Sequence, residues 1–447
     1  MDKLNHVHFI GIGGVSMSGI AKILLHRGIK VSGSDFAMGK STEELISLGA
    51  DVTIGHSADN IKNPDLVVYT AAISKDNPEL MQARSKGIET ISRAEMLGRI
   101  MKNYKKAISV AGTHGKTTTT SMMSHVLIKA CLDPTIMVGG DLNIINGNLR
   151  IGKGDYFITE SCEYCRSFLS FFPTVGIILN VEEDHLDYYK DIDDIKSAFS
   201  DFVRLIPKDG TLVVCADDTN ALECASFALC TPITYGLYDG KYRAKNIMFD
   251  DFGYPGFDVY NKEEKIMSLK LNVAGKHNIL NALSVVAASL EMGIDTEHIK
   301  SGLESFTGTK RRFEKKGYYN GALIIDDYAH HPTEIDSAFD CVNKIKHNNV
   351  WCVFQPHTYT RTLALFEDFV KVLSKIDNLI IADIYAAREK DTGLVSSKDL
   401  ADKIPGALYM QSFEDIADFI KKSACKGDII ITIGAGNVYE IGDMIKE

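Results

Sequence analysis

One glycine-bounded turn restricts the fold of this chain more than any other feature: Ala111-Gly112-Thr113-His114-Gly115-Lys116-Thr117-Thr118-Thr119. An apolar strand over 107–111 precedes it, and a helical stretch through Met122, Val126 and Leu127 follows. A turn in this place exposes consecutive backbone N–H groups, which converge on a phosphate at the positive end of the helix. Gly112, Thr113, His114, Gly115 and Thr118 shape the cradle. Lys116 brings a point charge to the β- and γ-phosphates, and the Thr117 hydroxyl is placed for Mg2+. The loop is shorter than the general pattern G-x-x-x-x-G-K-[ST].

Short apolar strands alternate with amphipathic helical stretches along the rest of the chain, which predicts an α/β architecture with parallel sheets. The chain has 447 residues. A single core rarely grows beyond about 250–300 residues, so several domains are expected. Three blocks separate: 1–103, 104–307 and 308–447. The first opens with a strand over 6–10, and 102–106 reads as a linker. The second carries strands over 107–111, 156–159, 175–179 and 211–215, then a small antiparallel region over 243–273 and a helix over 278–290. The third carries strands over 322–325, 350–354, 379–382 and 429–433.

The net charge of −10, from 49 basic and 59 acidic residues, argues against non-specific nucleic-acid binding, which needs a cationic surface. The polar N-terminal start has no signal-peptide core, and no apolar run is long enough to span a membrane. A cytoplasmic location is expected, with the nine Cys as reduced thiols. Cys162 and Cys165 have C-x-x-C spacing but lack a zinc partner or a thioredoxin context, and read as inert.

A second glycine turn, Gly11-Ile12-Gly13-Gly14, also joins a strand to a helix, and Asp35 follows it by about 20 residues. Such a turn offers N–H groups to a pyrophosphate and suits NAD or a UDP-sugar alike. In a chain with its own phosphate loop, this turn is expected to take a nucleotide-linked substrate.

Downstream of the phosphate loop, Glu160 and Glu163 close one strand, and Asn180-Val181-Glu182-Glu183-Asp184-His185 close the next. Functional groups of doubly wound sheets gather at these strand ends. Glu163 and His185 suit a bridging metal arrangement beside a triphosphate.

In order along the chain come G-I-G-G-x-x-M-S-G, G-T-H-G-K-T-T-T, E-x-x-E-x-x-x-S-F-L, N-V-E-E-D-H-L-D-Y, G-K-H-N-I-L-N-A, R-R-F-E, D-D-Y-A-H-H-P-T-E and F-Q-P-H-T-Y-T-R-T. This set resembles the Mur ligase family over nearly the whole chain. The resemblance implies a three-domain Mur ligase architecture: a Rossmann-like N-terminal domain, a P-loop ATPase-like central domain and a Rossmann-like C-terminal domain. It implies an ATP- and Mg2+-dependent ligase of peptidoglycan precursor synthesis. The amide would join the lactyl carboxylate of UDP-N-acetylmuramate to L-alanine, through an acyl phosphate. By position, Gly11, Gly13, Gly14 and Asp35 would hold the UDP part, with His56 at the uracil end. Lys116 would bind ATP phosphates, and Thr117, Glu163 and His185 magnesium. His277, Asn278 and Asn281 would lie at the adenine edge, with Arg312 at a phosphate or the domain interface. Asp326, Asp327, Tyr328, His330, His331, His357 and Arg361 would frame the substrate carboxylate and the incoming amine, with His330 the candidate base.

Three positions depart from the family pattern: Ser16 stands where many members have Gly, and Thr358 where many have Arg. Several members also carry a lysine, about fourteen residues after the metal-site His, whose carbamate helps bind the second magnesium; here Phe199 occupies the position, and a phenyl ring gives a hard cation no oxygen donor. Other readings are a ligase adding a different amino acid or a peptide, a nicotinamide oxidoreductase, and a regulatory P-loop switch. The oxidoreductase leaves the phosphate loop unexplained. The switch lacks the guanine-reading N-K-x-D motif.

Overall fold

Runs of Val, Ile and Leu without polar alternation form strands covered on both faces, as parallel sheets require. The computed structural model of the chain describes residues 4–387, 389–391 and 393–447; the polar start at Met1, Asp2 and Lys3 lies outside them. Its strands form three sheets.

The first sheet is all parallel, in the order Asp51–Ile54, Lys30–Asp35, His6–Ile10, Leu66–Tyr69, Glu89–Ser92. In the second, Lys106–Ala111 lies between Val175–Ile178 and Tyr156–Glu160, with all three parallel. Thr211–Cys215 and Ile233–Gly236 extend it in parallel, followed by the hairpin strands Tyr242–Phe249, Pro255–Asn261 and Glu264–Lys270. The third sheet runs Glu314–Tyr319, Ala322–Asp327, Ile429–Ile433, Val350–Phe354, Asn378–Ile381, Leu408–Tyr409, and only its first strand is antiparallel. The fold is therefore the expected three-part α/β architecture.

The strand ending in the phosphate loop has the two acid-bearing strands as neighbours. Loop and acids consequently meet at the carboxyl ends of these internal strands, where doubly wound sheets place their sites. Two local expectations are corrected. Lys106 is already the first residue of a strand, which shortens the linker. The strand Glu314–Tyr319 escapes sequence reading because its Lys-, Gly- and Tyr-rich run is an edge with no fully buried residue.

The joints between blocks differ. One continuous hydrophobic cluster runs from Ile20, Leu24, Leu97 and Ile100 of the first block to Phe157, Phe168 and Phe202 of the second. Helix Arg93–Met101 packs so closely that a Cβ on Gly98 would lie 2.0 Å from the Ser170 carbonyl oxygen. The hydrophobic clusters of the third block contain only residues from 313 onward. No helix among the described residues is long and apolar enough to cross a membrane.

Candidate active site

The phosphate loop is held open by its neighbour strand. Gly112 (φ 144°) and Gly115 (φ 83°) take backbone conformations that a side chain would strain, and a Cβ on Gly115 would meet Asn281 Oδ1 at 2.7 Å. Asn180 stitches the loop together. Its carbonyl accepts from the Thr113 amide at 3.1 Å, and its Oδ1 accepts from the His114 amide at 2.7 Å. These two amides are thus taken by Asn180, a residue to which sequence reasoning gave no role. The remaining loop amides open the helix Lys116–Lys129.

Lys116 Nζ reaches Glu163 Oε2 at 2.9 Å and donates to the Gly112 and Thr113 carbonyls. Burial pulls the ammonium pKa down, but Glu163 more than offsets this and the net shift is upward. Thr117 Oγ1 donates to Glu160 Oε2 at 3.0 Å, and Glu160 Oε1 accepts from the Gly139 amide at 2.6 Å.

Glu163, Asp184 and His185 form one group, with donor atoms all within 4.8 Å of one another. His185 Nε2 lies 3.9 Å from Glu163 Oε1 and 3.7 Å from Asp184 Oδ2. His185 itself has φ 54°, uncommon for a non-glycine residue. The expected metal set is therefore divided: Glu163 and His185 stand with Asp184, while Thr117 stands with Glu160. Carboxylates, a hydroxyl and one imidazole at a phosphate loop fit a hard divalent cation.

Arg361 reaches across from the third block and donates to Asp184 Oδ1 from Nη2 at 3.0 Å and Nε at 3.2 Å. Burial raises the Asp184 pKa, but His185 and Arg361 override it and hold the carboxyl well below the usual range. A cavity of about 400 Å3 opens here, lined by Tyr164, Asp184, His185, His357, Thr358 and Arg361. His330 lies beside it, with its ring centroid 5.9 Å from that of His357. Burial lowers both histidines to about 4. His330 Nδ1 donates to the Tyr328 carbonyl at 3.0 Å, which leaves Nε2 as an acceptor.

A larger cavity, about 570 Å3, is lined by the phosphate loop at His114, Gly115 and Thr118 and by Asn180, His277, Asn281, Arg312 and Asp327 among others. Asn278 lines it too, donating to the Ala274 carbonyl at 2.7 Å while its Oδ1 accepts from Asn281 at 3.0 Å. Burial lowers His277 to about 4 and raises Asp327 to about 6. Asp327 thus faces this cavity rather than the smaller one. Asp326 is a buried strut, bonded to Thr432 at 2.7 Å and Arg311 at 3.2 Å. The Tyr328 ring meets two guanidiniums, Arg311 and Arg312, 4.9 and 5.0 Å from its centroid. His331 Nε2 bonds the Glu183 carbonyl at 3.0 Å.

In the first block, Asp35 Oδ2 accepts from the Gly13 amide at 2.7 Å, so the carboxylate braces the glycine turn between Gly11 and Gly14. Ser34 donates to Glu79 at 2.6 Å and therefore accepts from His56 Nδ1 at 3.0 Å. Ser16 accepts from Arg93 at 2.9 Å, a contact that glycine would lack. Sequence reasoning also passed over Glu334, which receives His114 Nδ1 at 3.2 Å. Its only sequence signal was its place in the run Asp326-Asp327-Tyr328-Ala329-His330-His331-Pro332-Thr333-Glu334.

Three family models match in sequence: the Mur ligase family catalytic domain over 6–105, the Mur ligase middle domain over 110–289, and the Mur ligase glutamate ligase domain over 311–436. The chain is 55% identical to the UDP-N-acetylmuramate–L-alanine ligase of Clostridium tetani over 445 residues, covering 99% of this chain and 98% of that one. It is 54% identical to the enzyme of the same name from Clostridium acetobutylicum over 447 residues, with the same coverage. Among solved structures, the UDP-N-acetylmuramate–alanine ligase of Thermotoga maritima superposes with a TM-score of 0.81 at 29% identity, covering 98% of each chain. A murein peptide ligase from Psychrobacter arcticus gives 0.72 at 25%, again over 98% of each. With all three domain models in order and curated relatives above half identity along its length, the chain belongs to the Mur ligase family.

Proposed function

We propose that this chain joins L-alanine to the lactyl carboxylate of UDP-N-acetylmuramate at the expense of ATP, an ADP-forming ligation of peptidoglycan precursor synthesis in the cytoplasm. The observation that carries this reading is the pair of cavities that share the acid stretch after the strand Val175–Ile178, with the phosphate loop and Glu182 lining the larger and Asp184 and His185 the smaller. The larger takes ATP, with Lys116 and the loop at its phosphates, His277, Asn278 and Asn281 at the base, and Arg312 at the third-block wall. The smaller takes the reacting carboxylate and the amine. The sheet of the first block holds the UDP part on Gly11, Gly13, Gly14 and Asp35, with His56 at the uracil. Domain limits at 103/104 and 307/308 belong to the same reading.

The lactyl carboxylate attacks the γ-phosphate and ADP departs, a transfer governed by positioning and charge neutralisation. Lys116 supplies one of those charges. Glu163 and His185, with Thr117 at the loop, would hold Mg2+, which would supply further charge neutralisation at the phosphates. The alanine amine then attacks the acyl phosphate, and phosphate leaves the tetrahedral intermediate. His330, unprotonated at neutral pH, presents an acceptor nitrogen for the amine proton. Arg361, anchored on Asp184, supplies the cationic wall for a carboxylate.

Phosphate release with each substrate omitted in turn tests the proposal. Release that requires nucleotide sugar, alanine and ATP together supports it; hydrolysis of ATP alone favours a switch protein. Glycine and serine should be poor but measurable substrates, since a methyl-sized difference is worth only ~1–3 kcal/mol. Preference for glutamate or a peptide would overturn the alanine assignment and leave the ligase standing.

A further inference from the structure

Glu334 occupies the third position of the helix Pro332–Val342, and its carboxylate is shared by three groups that the mechanism uses separately. Oε1 receives His114 Nδ1 from the phosphate loop at 3.2 Å and lies 3.7 Å from Arg312 Nη1 at the larger cavity. Oε2 accepts the His330 amide at 3.0 Å beside the smaller one. The neighbouring residues bind the same surface. Thr333 Oγ1 donates to Glu182 at 2.9 Å, and the His331 ring lies 4.8 Å from that of His114. One helical turn of the third block therefore touches the phosphate loop and the acid loop together.

The other nitrogen of His114 is buried and has no hydrogen-bond partner, and Glu182 Oε2 lies 3.5 Å from it. A metal ion would need a third donor. His331 is near enough, but its Nε2 already donates to the Glu183 carbonyl and its Nδ1 accepts from the Thr333 amide. A proton on each nitrogen of His114 instead serves both carboxylates, and an imidazolium then bridges Glu182 and Glu334. The hydrophobic clusters of the third block include no residue of the second, and the contacts named across this joint are polar.

We propose that Glu334 is a positioning residue that, through His114, latches the third block onto the phosphate loop and keeps water from the acyl phosphate. This rests on the ligase reading given above. With the latch loosened, water attacks the acyl phosphate in place of the amine. The products are the original carboxylate and phosphate, so ATP is consumed without an amide.

The test is the ratio of phosphate released to amide formed, measured on the intact chain with all three substrates. The unaltered chain should give a ratio of one. Glu334→Gln keeps the shape and an acceptor for the His330 amide but removes the charge, and should raise the ratio several-fold. His114→Gln should do the same, and the double variant should be no worse than either single one, as expected for residues acting as a unit. Misfolding alone would lower phosphate and amide together and leave the ratio at one. A ratio of one in His114→Gln and in folded Glu334→Gln overturns the proposal. If Glu334→Gln does not fold, Glu334→Asp, which keeps the charge but draws it back from His114, replaces it under the same criterion. Failure of the unaltered chain to make any alanyl amide would instead overturn the ligase reading, and the latch with it.

Discussion

Lys116 carries two burdens at one atom. It brings charge to the loop and partners Glu163, whose side chain is only 3% exposed. Lys116→Ala should lower turnover by about 10²–10³, the usual cost of removing one preorganised electrostatic group. It should also lower the melting temperature, because a buried carboxylate is left without its partner. Near-normal turnover would remove Lys116 from the phosphate site. The Phe199 departure makes a second prediction at this scale. Phe199 is fully buried and packs on Phe168, and Lys196 one turn earlier is bonded to Glu223 at 2.9 Å. Neither offers a carbamate to the metal group, so activity in degassed buffer should be unaffected by added bicarbonate. Rescue of a depressed rate would show a carbamate after all and point to Lys196.

Among the elements, the helix that opens at the phosphate loop is fixed from behind by the helix Thr296–Ser305. A Cβ on Gly302 would sit 2.5 Å from Val126 Cα, a backbone atom that cannot move alone. Gly302→Ala should therefore cost about 1–3 kcal/mol by overpacking. Its melting temperature should fall while the chemistry of the folded fraction is kept; an unchanged melt would mean the helices separate freely. The sequence announced the first of these helices and the central strands, because long apolar runs flanked by glycine turns leave few alternatives; the helix Thr296–Ser305 went unread. It announced the loop residues 112–118 and the Asn180–His185 stretch for the same reason: each sits where a strand ends. It could not announce how partners divide. That Thr117 goes to Glu160 and Glu163 to Lys116 depends on side-chain reach across two strands. Glu334 was hidden further, since an acid in the first turn of a helix after Pro is an ordinary start signal. Only a contact spanning 220 residues gives it another meaning.

Over the whole molecule, an apolar joint welds the first block to the second, while a titratable one holds the third in place. His114 lies at that joint. Burial lowers its pKa, but Glu182 and Glu334 more than compensate and raise it from 6.5 to about 9. The adjacent His331 is pushed the other way, by burial and by the charge of His114. A histidine whose folded pKa is raised binds its proton more tightly in the folded state than in the unfolded one. Its contribution is therefore complete below pH 6.5 and is lost as pH climbs through about 9. The two carboxylates have lowered pKa values, and their own contributions are lost only on acidification, outside this window. Thermal melts of the unaltered chain and of His114→Gln should thus differ most around neutral pH, before acid protonates the two carboxylates, and converge on the alkaline side of 9. The comparison reads His114 together with the groups that its charge shifts, His331, Glu182 and Glu334. A gap that stays constant across the range would mean that His114 is held neutral, and that the third block is fastened to the phosphate loop by shape rather than by charge.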